Sequence, residues 1–124
     1  MIIGIGTDIL SIERLISILE TGRECFLQKV YTRSERQEAE KRPKPLFYYA
    51  TRFAGKEAVF KTLASNDGSL RLCDIEILSD ESGAPHVRLH NAVSTEAEKK
   101  GIRRIHLSLS YEESFAVAFA VAEG

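Results

Sequence analysis

Three side chains in this sequence are of types that handle phosphate. Asp8 follows the apolar run Ile2-Ile3-Gly4-Ile5-Gly6, and Glu57 and Lys61 stand four residues apart in a segment of helical pattern. Two carboxylates offer the hard oxygen ligands that Mg²⁺ accepts, with water and substrate phosphate completing its octahedron; an ammonium group balances charge on a departing phosphate. Each also has a local reading. Asp8, just ahead of a helix, can cap its free N–H groups. Glu57 and Lys61 can form a surface i,i+4 pair worth only ~0.2–0.5 kcal/mol. The second alternative is the weaker, because the pair lies among Ala50, Phe53, Ala54 and Ala58, and a charged pair buried there without a ligand carries a large desolvation cost. The glycine-rich phosphate loops G-x-x-x-x-G-K-[ST] and G-x-G-x-x-G are absent.

The elements that must position these groups follow from periodicity. Residues 1–7 read as a buried strand. From about Ser11, apolar Ile12, Leu15, Ile16 and Leu19 recur at helical spacing up to a stop at Thr21-Gly22, and a weaker helix continues through Phe26, Leu27 and Val30. Thr32 or Ser34 caps an exposed helix that Pro43 and Pro45 terminate. Residues 46–63 form the strongest helix, with Ala50, Phe53, Ala54, Glu57, Ala58 and Lys61 on one broad face at about 100° per residue. A turn at Asn66-Asp67-Gly68 leads to two alternating strands, 74–78 and 86–90, joined as a hairpin through Gly83-Ala84-Pro85. A short helix over 92–100 stops at Gly101, and strands over 102–111 and 115–122 follow. The expected order is βαααββαββ, an α+β fold with an antiparallel-dominated sheet packed against the long helix, because most strand links are too short for parallel crossovers.

Composition bounds the rest. The 124 residues, 44% hydrophobic and 28% charged, suit one domain spanning 1–124 and leave no room for a cleft between two domains. No apolar run reaches the ~20 residues of a membrane span, and the first residues lack the basic start of a secretory signal. Cys25 and Cys73 match no zinc spacing and read as free thiols of a reducing cytoplasm. The net charge of −1 is uneven: −2 over residues 1–28, +5 over 29–61 and −4 over 62–124. The basic middle segment suits phosphorylated ligands or an acidic partner. No groove-reading motif supports nucleic acid.

Two segments, Gly6-Thr7-Asp8-Ile9 with Ile12 and Arg14, and Arg52-Phe53-Ala54-Gly55-Lys56-Glu57-Ala58-Val59-Phe60-Lys61, together resemble the signatures of bacterial holo-acyl-carrier-protein synthases, the short 4′-phosphopantetheinyl transferases. Asp74-Ile75-Glu76-Ile77, Gly83-Ala84-Pro85, and residues 105–110 ahead of Ala116-Val117-Ala118 extend the likeness along the chain. The resemblance implies a Mg²⁺-dependent transfer of 4′-phosphopantetheine from coenzyme A to a serine hydroxyl of apo acyl carrier protein in fatty acid synthesis, with adenosine 3′,5′-bisphosphate released. It implies Asp8 and Glu57 as Mg²⁺ ligands, Glu57 as base, Lys61 beside the phosphates, and Arg52, Lys56, Lys61, Gly83 and Pro85 toward the coenzyme. Arg14 and Arg23 on the first helix would meet the acidic carrier. Members of this length form homotrimers with the coenzyme between subunits, which answers the missing cleft.

The chain departs from the pattern at Tyr111, where the family commonly has histidine, and Glu13 and Glu20 dilute the basic character of the first helix. His106 reads as structural, Arg52 and Lys56 equally as plain surface residues, and Gly83 and Pro85 equally as turn formers. The alternatives are a transferase serving a polyketide or peptide-synthesis carrier, a noncatalytic carrier- or nucleotide-binding module of the same fold, and a nucleic-acid-binding domain.

Overall fold

The computed structural model describes all 124 residues. The elements are β1 (Ile2–Ser11), α1 (Ile12–Val30), α2 (Arg33–Glu40), α3 (Pro45–Thr62), a 3₁₀ turn at Leu72–Asp74, β2 (Ile75–Ser79), β3 (Pro85–Leu89), α4 (Asn91–Lys99), β4 (Arg104–Tyr111) and β5 (Phe115–Glu123). This is the expected order. The strands form two antiparallel sheets, a three-stranded one in the order β1-β5-β4 and the β2-β3 hairpin. No helix is long and apolar enough to cross a membrane. The first helix and its weaker continuation past Gly22 meet there in a kink, where the backbone leaves helical geometry (φ −173°, ψ 59°), and together make α1.

Small residues set how closely α3 approaches the large sheet. The inward positions of β5 are Ala116, Ala118, Ala120 and Ala122, and α3 answers with Ala50, Ala54 and Ala58, all buried. On β1, a Cβ at Gly4 would stand 2.2 Å from the Thr62 carbonyl oxygen, and one at Gly6 1.9 Å from that of Ala58. Strand and helix backbones therefore touch directly, and no larger residue fits between them. Gly6→Ala is expected to lower stability by about 3 kcal/mol through overpacking, read as a drop in the thermal midpoint. An unchanged midpoint would show that α3 can lift off the sheet freely.

The core continues beneath α3 with Leu15 and Leu27 of α1, Ile75 and Ile77 of β2, and Val93 of α4. The opposite face of the three-stranded sheet is bare and apolar: Ile5 is 62% exposed, Ile9 67% and Phe119 54%. Pairing of Ile9 with Val117 and of Thr7 with Phe119 makes these side chains one continuous strip.

Candidate active site

Strand alternation puts Asp8 on the same face of β1 as Gly4 and Gly6, the face that α3 crosses. The close approach at Gly6 thus delivers Asp8 to the C-terminal half of α3. The strand runs past residue 7, its expected end, to Ser11: Asp8 lies in register with Ala118 of β5, and pairing continues to Ser11 with Phe115. The Ser11 side chain caps α1 by accepting from the Arg14 N–H at 3.3 Å, so Asp8 is not the cap. Lys61 Nζ donates to the Thr7 carbonyl at 2.8 Å and lies 3.4 Å from Asp8 Oδ1.

Glu57 joins them from one turn earlier on α3. Partial burial raises its carboxyl above its ordinary value, the negative charge of Asp8 raises it further, and Lys61 opposes both. The Ala50, Ala54 and Ala58 stripe is fully buried, whereas Glu57 is half-buried and the Lys61 side chain is 52% exposed. The charges therefore rim the apolar stripe rather than interrupt it, and solvation covers much of the cost that burial would impose.

Glu57 carries a penalty with a definite pH signature. With its folded value above the ordinary 4.5, the native state binds more protons than the unfolded state between the two values, so stability falls as pH rises through that window. In metal-free protein Glu57→Gln is expected to add about 0.2–1 kcal/mol near neutral pH after solvent screening, and to lose that gain below the ordinary carboxylate value. Thermal unfolding with chelator present, at about pH 7 and about pH 4, reads the difference. Equal midpoints for Glu57→Gln and wild type at neutral pH would contradict it.

A second feature lies toward the N-terminal end of α3. A groove of about 580 Å³ is lined by Arg42, Lys44, Tyr48, Arg52 and Tyr111, among others. The Arg52 guanidinium lies 3.9 Å from the centre of the Tyr48 ring, which Arg42 also faces at 5.0 Å. Arg52 donates to Ser79 Oγ at 2.6 Å and to Thr51 Oγ1 at 3.2 Å, and burial lowers its pKa from the ordinary guanidinium value. The groove also carries the Glu112 and Glu113 side chains, so its three cations face two carboxylates. Tyr111 stacks on Phe47 with ring centres 5.1 Å apart and adds a flat wall. A larger groove of about 700 Å³ between α1 and α2 is lined by Arg36 and Lys41, which ion-pair with Glu24 and Glu38.

The structure brings Asp8, Glu57 and Lys61 together and sets Arg52 about 7.5 Å before Glu57 along the helix. Pro85 pairs with Ser79, the residue that holds Arg52, and Gly83 forms the hairpin turn at φ +88°, but neither Gly83 nor Pro85 lines the groove. Arg14 is exposed on the first turn of α1, whereas Arg23 lies beyond the kink, 3.8 Å from Glu40. His106 bonds to Glu123 at 2.9 Å on the sheet, a structural contact. Lys56 requires a correction. Its side chain is 0% exposed and its Nζ lies 2.7 Å from Glu35 Oε1, so it neither faces a coenzyme nor lies on the surface. At about 100° from Glu57 on the helix, it points into the protein. Arg42, Lys44 and Glu35 were not singled out in sequence; the +5 charge of residues 29–61 was the available signal for the first two.

The fold and this site define a phosphate-handling α+β class, and a family model described as the 4′-phosphopantetheinyl transferase superfamily matches residues 4–120. A holo-[acyl-carrier-protein] synthase of Halothermothrix orenii is 40% identical over 123 residues, 99% of this chain and 98% of that protein. The crystal structure of the Neisseria meningitidis holo-[acyl-carrier-protein] synthase superposes with a TM-score of 0.92 at 38% identity, covering 100% of both chains. That of the Helicobacter pylori enzyme in complex with coenzyme A gives 0.81 at 28% identity, covering 96% of this chain and 99% of the other. The chain belongs to the 4′-phosphopantetheinyl transferase superfamily and, within it, to the holo-[acyl-carrier-protein] synthases.

Proposed function

We propose that this chain transfers the 4′-phosphopantetheine group of coenzyme A to a serine hydroxyl of apo acyl carrier protein, as an enzyme of fatty acid synthesis. The observation that carries the reading is the convergence of Asp8, Glu57 and Lys61 at one end of α3, with the Arg42–Lys44–Arg52 groove toward the other.

The donor set suits Mg²⁺. Asp8 and Glu57 are close enough for the charge of one to raise the other, and no group of three His, Cys, Asp or Glu side chains assembles that could enclose a metal ion. Two protein oxygens with the rest of the shell left to water and substrate phosphate is the habit of Mg²⁺. Held by Asp8 and Glu57, such an ion would supply charge neutralisation at the coenzyme diphosphate. Glu57 takes the serine proton directly or through a water it orients. The serine oxygen bonds to the β-phosphorus bearing pantetheine, and the bond from that phosphorus to the bridging oxygen breaks. Lys61, tethered at Thr7 and Asp8, balances charge on the departing adenosine 3′,5′-bisphosphate.

The groove cations Arg42, Lys44 and Arg52 suit the coenzyme's anionic nucleotide end, with the hairpin at Gly83 and Pro85 alongside. Arg14 and, further off, Arg23 suit contact with an acidic carrier. The bare strip of Ile5, Ile9, Val117 and Phe119 supports a homotrimer that completes the sites between subunits. The unpaired Cys25 and Cys73 accord with a cytoplasmic setting.

Chromatography tests the reaction: incubation with apo carrier, coenzyme A and Mg²⁺ is expected to release adenosine 3′,5′-bisphosphate in step with coenzyme consumption. Coenzyme left intact would overturn the reading.

A further inference from the structure

The most completely satisfied charged pair in the molecule lies outside the site just described. Glu35 and Lys56 are both 0% exposed. Glu35 Oε1 accepts from the Thr32 N–H at 2.8 Å, Oε2 accepts from the Ile77 N–H at 2.8 Å, and Lys56 Nζ donates to the Leu72 carbonyl at 3.2 Å and to the Ile75 carbonyl. One pair therefore joins α2, α3 and the start of β2.

Helix α2 is otherwise held by exposed ion pairs to α1, Arg36 with Glu24 at 2.6 Å and Glu40 with Arg23 at 3.8 Å, and by its cap Thr32, which donates to Glu76 at 2.6 Å. Of its residues Arg33–Glu40, only Glu35 and Ala39 are buried, and an alanine methyl buries little apolar area. Its C-terminal exit carries Arg42 and Lys44 into the groove, about 10 Å along the chain from Glu35. The facing wall, Arg52 with Glu57 and Lys61 beyond it, belongs to α3, the helix of Lys56. An apolar pair of the same volume would fill the space yet impose no direction, whereas an ion pair with oriented hydrogen bonds admits one arrangement.

We propose that the Glu35–Lys56 pair is a positioning element that fixes the Arg42–Lys44 wall of the groove against the Arg52–Glu57–Lys61 edge of α3. Its kinetic consequence rests on the transfer reading above; its structural consequence does not.

The test compares Lys56→Met, Glu35→Gln and the double variant. Lys56→Met alone leaves a buried carboxylate unpaired and should lose thermal stability, while the double variant removes the charge and should recover most of it. The double variant is nevertheless expected to keep a KM for coenzyme A raised about tenfold with kcat within about twofold. Amide exchange at Lys41 and Arg42, whose N–H groups bond to the Glu38 and Ala39 carbonyls, should quicken in it while β1 and β5 stay as protected as in wild type. Wild-type KM and wild-type exchange at Lys41 and Arg42 in the double variant would overturn the proposal, as would a KM that recovers along with stability. If wild type itself transfers nothing, the transfer reading has failed and the exchange comparison still decides the positioning role. If the double variant does not regain stability, Glu35→Gln alone, which keeps a polar partner for Lys56, decides by the same exchange comparison.

Discussion

Replacing Asp8 or Glu57 by alanine is expected to lower kcat for phosphopantetheine transfer by about 10²–10³-fold, on the scale of removing one group that stabilises transition-state charge. Neither change should harm the fold. Asp8 is only part-buried, its capping role is taken by Ser11, and its strand hydrogen bonds to β5 are backbone bonds that alanine keeps. Glu57 destabilises its surroundings through burial and through the charge of Asp8, so its removal relieves strain. If the pair acts as one cation site, the double variant should be scarcely slower than either single one, because the second loss removes a ligand from a site already broken. Steady-state rates at saturating Mg²⁺ read this, with thermal midpoints showing that the proteins are folded. Single variants with wild-type rates would detach the carboxylates from the chemistry.

The second large effect concerns assembly. Phe119 is central in the bare strip of the sheet, paired with Thr7 on one side and Ser108 on the other. Its side chain contributes little to the core of the single chain, since alternate residues Ala118 and Ala120 face α3. Phe119→Asp is therefore expected to leave the subunit folded and to prevent association, because a carboxylate would have to be desolvated in an apolar interface without a partner. Sedimentation should find wild type as a trimer and the variant at the mass of one 13.9 kDa chain, with transfer activity lost if sites are completed between subunits. A fully active monomer of either form would remove the trimer from the account.

Much of this was legible in the residues. The apolar periodicity of 46–63 and the apolar run 115–122 mark the two elements at the centre of the core, and α3 and β5 follow them closely. The cap was legible as Thr32 or Ser34; it is Thr32, and Glu35 completes a capping box with it. The far end of β1 was not, because aspartate disfavours strands and only pairing with β5 carries the strand through Asp8. Lys56 was misread for a related reason. A lysine beside Glu57 in a charged motif looks solvated unless its partner is known, and that partner sits on a short polar helix whose sequence gives no sign of burial. Arg42 and Lys44 stand next to prolines in a stretch that reads as loop, and only the packing of α2 against α3 turns them toward Arg52. The wide charge distribution of the chain, by contrast, was a sound guide, since its basic segment supplies every cation of the groove.

Intact-mass spectrometry of an apo acyl carrier protein tests the central claim most directly. With this enzyme, coenzyme A and Mg²⁺, the carrier should gain the mass of one phosphopantetheine. The gain should vanish when the acceptor serine is replaced, and be lost or strongly slowed with Asp8→Ala or Glu57→Ala enzyme. A carrier that keeps its apo mass with wild-type enzyme, or gains the group equally fast with the alanine variants, would contradict the assignment of transfer to this site.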